Sequence, residues 1–412
     1  MNPWVGVALL IAVVAVVAQA PGALLVAVVT LLYAWLTRLW SRFGVRRVDY
    51  TRQLGATRAV AGDSVPLDVT IWNRKPLPLP WVGADDLVTD GLTVRERRQM
   101  DRDNEVLGRR LLHNAWSLAW YERVVRHFHL DDLRRGIYDF GPVRIRVRDL
   151  LGRDAVEDQL ELTDRLVVAP ATLPLRRAGH EVSPIGERRA RQSLFVDPSL
   201  YGGVRPFQPG DALRRIHWRA TARLGTPVSR RYEPARGREV VIALDVQTLP
   251  GAHWEMIWDE EAFEALCTTA ASIARRLLDG GASVGVAAAS FTGTPQRFAW
   301  LAPQAAAGQL ARVGGILARM GPISSAPFGS LLTWLTRRLA PGATVLVLSA
   351  RDPRAYLQPL ARLRRSGYSV ELITLGSDAA DHARRARASG IDTRTASLVP
   401  TPEHADAIVL GN

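Results

Sequence analysis

The sequence predicts a multidomain chain: an α-helical membrane hairpin, a β-sandwich, and a doubly wound, Rossmann-like α/β domain. Three observations lead there. Two uncharged apolar runs lie within residues 5–37. Short period-2 segments with no long helix between them occupy about 45–169. From Glu239 onward, apolar strands alternate with helical stretches. A chain of 412 residues has room for two or three units. Its 47% apolar and 23% charged residues suit packed cores and exclude general disorder.

The hairpin comes first. Val5–Ala18 and Gly22–Thr37 carry no charge, and Gln19-Ala20-Pro21-Gly22 interrupts them as a turn would. Each run is about 15 residues, somewhat short of the roughly 20 that cross hydrocarbon. Trp4, Tyr33, Trp35 and Trp40 extend both runs with the aromatics found at bilayer interfaces. Residues 1–40 are therefore read as a two-helix transmembrane hairpin. A single signal-anchor and a cleaved signal peptide are the other readings, since Ala18-Gln19-Ala20 fits a small-x-small cleavage site. Against them, no Lys or Arg precedes the first run, and a second apolar run follows at once. Arg38, Arg42, Arg46 and Arg47 come next, and the positive-inside rule places them in the cytoplasm. The expected location is the cell membrane, crossed by two helices, with the soluble domains cytoplasmic. One cysteine, Cys267, excludes an intramolecular disulfide framework or a multi-cysteine zinc site and suits a reducing compartment.

Residues 45–169 read as the β-sandwich. Val65–Trp72 alternates apolar and other residues over its second half, and Val143-Arg144-Ile145-Arg146-Val147-Arg148 alternates without a break. The second pattern gives one apolar face and one row of arginines. Ala61-Gly62-Asp63 and Phe140-Gly141-Pro142 are turn signals between such runs. His127-Phe128-His129 puts two imidazoles on one strand face, a metal-capable pair or simply an exposed polar face; no third ligand is nearby.

Residues 170–238 form an Arg-rich linking segment. From Arg188 to Arg238, twelve arginines stand against three acids, Asp197, Asp211 and Glu233. Much of the chain's net charge of +13 is therefore local. Pro209-Gly210-Asp211 is a turn whose Asp211 can cap a helix over Ala212–Ala222. Leu213, Ile216 and Ala220 would share one face, and Arg215, Arg219 and Arg223, spaced at four, another. Trp218 would pack near the seam between domains. The candidate partner- or anion-binding residues are Arg205, Asp211, Arg214, Arg215, Trp218, Arg219 and Arg223. The alternatives are pairing with Asp211 and Glu233 or a solvated face.

Residues 239–412 read as the α/β domain. Val240–Leu244 is a continuous apolar run ending at Asp245, as in a buried parallel strand. A helix is expected over Trp254–Leu278, with Asp259, Glu260 and Glu261 early, Arg275 and Arg276 late, and Gly280-Gly281 as the stop. Ser283–Ala288, Thr344–Leu348 and Ser369–Thr374 are the next strands. Ligands in such sheets bind beyond the carboxyl ends of the strands, where Asp245, Ser290 and Ser349 would stand. The chain holds no phosphate loop, no dinucleotide fingerprint and no H-E-x-x-H. Cys267 lies within the expected helix with no adjacent base and reads as a small buried hydrophobe.

Two long motifs carry a resemblance. One is Arg205-Pro206-Phe207-Gln208-Pro209-Gly210-Asp211, then Arg214, Ile216, Trp218 and Ala222-Arg223, followed by Arg231-Tyr232-Glu233 and Leu244-Asp245. The other is Arg135-Gly136-Ile137-Tyr138-Asp139-Phe140-Gly141-Pro142-Val143, followed by Asp149-Leu150-Leu151-Gly152, where the pattern has D-P-F-G. Their order resembles the signature of the bacterial family called domain of unknown function 58, over essentially the whole chain. The resemblance implies a membrane anchor and a von Willebrand factor A-like C-terminal domain. It also implies company: such proteins are often encoded beside MoxR-type AAA+ ATPases and are suspected of assisting the assembly of other proteins. A-type domains often carry a Mg²⁺ site, D-x-S-x-S. Here that stretch reads Asp245-Val246-Gln247-Thr248-Leu249, with neither serine in place. Ser324, Ser325 and Asp352 are the oxygens other loops offer.

The expected function is a non-enzymatic, membrane-anchored scaffold or adaptor. Its partners would be the lipid bilayer and proteins, a MoxR-like AAA+ ATPase among them. No cofactor is expected, and the degenerate pattern at Asp245 counts against Mg²⁺. One rival is a hydrolase using Asp245, Ser349 and Asp352, which lacks a nucleophile–base pair in the sequence. The other is anionic-ligand or nucleic-acid binding through the Arg-rich motif. No nucleic-acid motif accompanies it, so nucleic acid is not an expected partner.

Overall fold

The computed structural model describes residues 13, 21–89, 92–95, 105–106, 109–148, 154–177, 196–207, 216–234, 239–293, 295–340, 342–400 and 405–411. It is a mixed α/β protein dividing into two compact units, Met1–Val168 and Ala169–Asn412.

The first unit begins with helix α1 (Pro21–Phe43). Its far end is anchored: Trp40 is buried in the unit's core, and its indole donates to Pro78 O at 3.1 Å. Lys75, the chain's one lysine, donates from a buried position to Gly44 O at 2.6 Å and Arg46 O at 2.8 Å, just past the helix. Burial lowers its pKa to about 8. Earlier in the helix, Leu25, Val26, Val28, Val29, Leu32 and Trp35 are exposed. No hairpin is found among the described residues. Apart from Val13, the expected first arm and the turn through Ala20 lie outside them. No described helix is long and apolar enough to cross a membrane.

Eleven strands follow: β1 (Val48–Leu54), β2 (Arg58–Val60), β3 (Val65–Asn73), β4 (Leu79–Thr89), β5 (Thr93–Arg95), β6 (Glu105–Val106), β7 (Arg109–Leu118), β8 (Arg123–Asp131), β9 (Gly136–Arg148), β10 (Asp154–Leu160) and β11 (Asp164–Ala169). They form one sheet of order β1-β3-β8-β5 and another of order β2-β11-β9-β4-β7-β6, with β10 also on β9. One core takes alternate residues from both sheets: Val65, Leu67, Val69 and Ile71 from β3, and Val143, Ile145 and Val147 from β9. The arginines between the β9 residues point the other way and are engaged. Arg146 meets Asp85 at 2.5 Å, Arg144 meets Glu157 at 2.8 Å, and Arg148 lies 4.0 Å over the Trp81 ring. Between the two sheets lies an ion pair the sequence did not announce. Arg52 of β1 binds Asp86 of β4 with both side chains fully buried, and also reaches Asp164 at 2.8 Å. His127 and His129 are exposed on β8, and His127 bonds Asp68 at 2.7 Å. No metal-holding group of His, Cys, Asp or Glu occurs among the described residues.

The second unit starts with β12 (Leu175–Arg177), β13 (Val196–Pro206), helix α2 (Trp218–Leu224) and β14 (Val228–Pro234); β13 and β14 pair with each other. Then come β15 (Glu239–Leu244), α3 (Glu260–Asp279), β16 (Ser283–Ala288), β17 (Ala299–Gln304), α4 (Gln309–Arg319), α5 (Phe328–Leu335), β18 (Thr344–Ser349), α6 (Leu357–Arg365), β19 (Ser369–Thr374), α7 (Ala379–Ala388), β20 (Asp392–Pro400) and β21 (Ala405–Gly411). The main sheet has the order β12-β21-β20-β19-β18-β15-β16-β17. Its centre, β20 to β16, is parallel, and β17 and β21 are antiparallel additions. Both faces are covered, which is why β15 reads as unbroken apolar sequence. Ile242 and Leu244 pack with Phe263, Leu266 and Leu317 on one side. Val241 and Ala243 pack with Leu331, Leu335, Leu360 and Ala386 on the other.

Two helix expectations are corrected. Helix α3 starts at Glu260 and not at Trp254, because Asp259 caps it by accepting from Ala262 N at 3.1 Å. Trp254, Met256, Ile257 and Trp258 lie in the loop before it. Helix α2 starts at Trp218, and Ile216 instead bridges to Ser229 as isolated β structure. His217, not Asp211, is its N-cap, accepting from Ala220 N at 3.1 Å.

Candidate functional site

From β15 the chain steps to β16 on one side and later returns to β18 on the other. The carboxyl ends of β15 and β18 therefore flank a switch point, where doubly wound sheets open a crevice. Leu244 registers with Leu348, so the next residue of each strand, Asp245 and Ser349, meet at the edge. Ser290 follows β16 on the same edge. All three are buried, as expected from their positions.

Asp245 is fully engaged. Its Oδ2 accepts from Ser349 Oγ at 3.0 Å and from Arg351 Nε at 2.6 Å. Its own N–H extends the ladder to Leu348 O at 2.9 Å. Burial pushes the carboxyl's pKa up, against the pull of Arg351. Arg351 also lies over the Tyr356 ring, 5.6 Å from its centroid, and Tyr356 packs edge-on against Phe328.

The oxygens around Asp245 do not fit a Mg²⁺ shell. Gln247 turns its amide to Gly251 O at 2.7 Å. Thr248 Oγ accepts from Asp259 N at 2.8 Å. Ser324 Oγ donates to Ala326 O at 2.7 Å, and Ser325 Oγ to Arg297 O at 2.6 Å. Asp352 pairs with Arg354 at 2.6 Å and Arg385 at 2.7 Å, and the Arg354 hydrogen bond lowers its pKa to about 2. The cation beside Asp245 is a guanidinium, and octahedral oxygen coordination would have to displace it.

Above this pair lies a cavity of about 580 Å³, lined by Gln247, His253, Phe328, Ser330, Thr333 and Arg351 among others. Its size is that of a ligand pocket. The loop after β15, whose Gly251 and His253 line the cavity, exposes Trp254 (71%), Met256 (73%), Ile257 and Trp258; the loop after β16 exposes Phe291. Sequence reasoning assigned Trp254–Trp258 to a helix and overlooked Arg351 entirely. The usable signal was the Asp259 cap, which ends the loop five residues after Trp254.

The Arg-rich candidates lie elsewhere in the unit. Trp218, Arg219 and Arg223 are on α2, and all three are exposed. Arg205 is on β13; Asp211, Arg214 and Arg215 lie outside the described residues.

Residues 203–351 match the family described as "Protein of unknown function DUF58". The uncharacterized protein YeaD of Bacillus subtilis is 26% identical over 264 residues, which are 62% of this chain and 58% of that protein. The chain thus spans less than two thirds of that relative's length. Among solved structures, the CARDB domain of a Pyrococcus furiosus protein, in complex with di-metal ions, covers 29% of this chain and 93% of its own. It does so at 15% identity and a TM-score of 0.20. The sporulation control protein Spo0M of Bacillus subtilis covers 30% of this chain and 50% of its own, at 13% identity and a TM-score of 0.18. Likeness this slight transfers neither a fold nor a role. The family match runs from the Arg-rich motif through Asp245 and Ser349 to Arg351, and it is over this segment that the chain is similar to the proteins of unknown function DUF58.

Proposed function

We propose that the chain is a non-enzymatic scaffold or adaptor that binds a protein partner through the carboxyl edge of a von Willebrand factor A-like domain. The observation that carries this is the exposure of five large apolar side chains, Trp254, Met256, Ile257 and Trp258 on one loop and Phe291 on another, the two loops following adjacent strands. Large apolar side chains exposed together on neighbouring loops favour an interaction site. The A-like reading rests on the parallel core flanked by helices and on the aspartate that ends its first strand.

The proposed partner is a MoxR-type AAA+ ATPase, on family resemblance. The proposed location is the membrane surface. The exposed apolar side chains of α1 and the basic residues that follow it support that location. A hydrolase reading is weaker: Ser349 Oγ donates to Asp245, and no described imidazole bonds it.

The test is co-purification from native membranes at normal expression. Wild-type chain should retain the ATPase. A Trp254→Asp, Met256→Asp double variant with unchanged melting temperature should lose it. An ATPase absent from the wild type, or equally retained by the variant, contradicts the reading.

A further inference from the structure

The cavity at the sheet edge contains an incompletely used cation. The Arg351 side chain is only 12% exposed, and its Nε is taken by Asp245. Among the described residues its two terminal nitrogens donate to nothing, and Arg351 lines the cavity. A guanidinium has five N–H donors in a fixed fork, which matches the two oxygens of a carboxylate. Those donors stand open to the cavity, where an incoming carboxylate can take them from water.

Two further features favour negative charge there. Among the described residues no Asp or Glu lines the cavity; Glu255 approaches Gly251 from the loop but is not part of the lining. Helix α5 opens onto the cavity at Phe328, Gly329 and Ser330, and no side chain caps its first turn. The early N–H groups of a helix lack intrahelical acceptors, and they carry its positive end. Asp245, fixed by Ser349, acts as the tether that holds the guanidinium in place.

We propose that this cavity is a metal-independent carboxylate site, in which Arg351 receives an acidic group while Asp245 holds it from behind. The carrier of that group rests on the docking reading above: an acidic side chain of the partner, seated beside the apolar loops. The disagreement between the oxygens around Asp245 and a Mg²⁺ shell then has a physical sense, because an internal guanidinium supplies the positive charge.

The test uses the full chain with EDTA present and ionic strength held constant. Succinate and inorganic phosphate are titrated in turn and followed by ligand-observed NMR. Saturable succinate binding without Mg²⁺ is expected, weakened at least tenfold by Arg351→Met. Because Arg351→Met leaves a buried carboxylate unpaired and can unfold the chain, Ser330→Asp is the second variant. It places a negative charge on the cavity wall and should weaken succinate to the same extent. Four results would overturn the proposal: no saturable succinate binding, binding that requires Mg²⁺, phosphate binding without succinate binding, or undiminished binding in a folded variant. Partner retention with no succinate binding would remove this inference and leave the docking reading intact. Succinate binding with no partner retention would do the reverse.

Discussion

Arg351 meets Asp245 through Nε, at 2.6 Å, and not through the two ends of its guanidinium fork. The contact links residues 106 positions apart and closes the switch point between β15 and β18. It makes the pair a support as well as the proposed reception point. Removing one member of a buried pair strands the other charge. Asp245→Ala should therefore cost on the order of 3 kcal/mol in urea unfolding. Asp245→Asn, which keeps an acceptor for Ser349, should cost less. Equal costs would mean that the Ser349 hydrogen bond and the charge contribute nothing separable.

Gly141 is a second constraint, and it lies within one of the two motifs. Its φ is +88°, and a Cβ built there would stand 1.8 Å from Leu162 O. Both the left-handed backbone and the approach of another chain segment demand glycine. Gly141→Ala should destabilise the first unit by more than about 2 kcal/mol, since neither a backbone carbonyl nor the strand can give way cheaply. A melting temperature equal to wild type would contradict this.

Lys75 gives a pH dependence with a definite sign. Folded, it sheds its proton near pH 8; unfolded, it does so near 10.5. Between those values the unfolded state binds more protons, so stability rises with pH. This contribution is fully present above about 10.5 and is lost as pH falls through 8. Relative to Lys75→Met, the wild type should gain stability from pH 8 to 10, by up to about 2 kcal/mol. Paired urea melts at the two pH values measure the difference. A flat or opposite trend would mean that the Gly44 and Arg46 carbonyls hold the ammonium more strongly than burial opposes it.

The legible parts of the fold were those decided by local pattern. Val240–Leu244 is apolar without interruption because both its faces are covered, and Val143–Arg148 alternates because one of its faces is. The edge positions of Asp245 and Ser349 followed directly from the strand ends. What stayed hidden depends on pairing across long separations. Arg52 and Asp86 are 34 residues apart on different sheets, and nothing local marks either as buried. Arg351 is one arginine in an arginine-rich chain, and only the return of β18 to β15 brings it to Asp245. The acids early and arginines late in 254–278 mark a helix but not its first residue, which the Asp259 cap sets at Glu260.

The central claim is that the apolar loops at this edge dock a protein partner. A photo-crosslinking residue at Met256 of the full chain, in native membranes, tests it most directly. Trp120, 68% exposed in the other unit, serves as the control position. The predicted result is one discrete adduct from Met256, containing the ATPase, none from Trp120, and loss of the Met256 adduct when Phe291→Asp is added. No adduct from Met256, or one that persists undiminished with Phe291→Asp, would contradict the account.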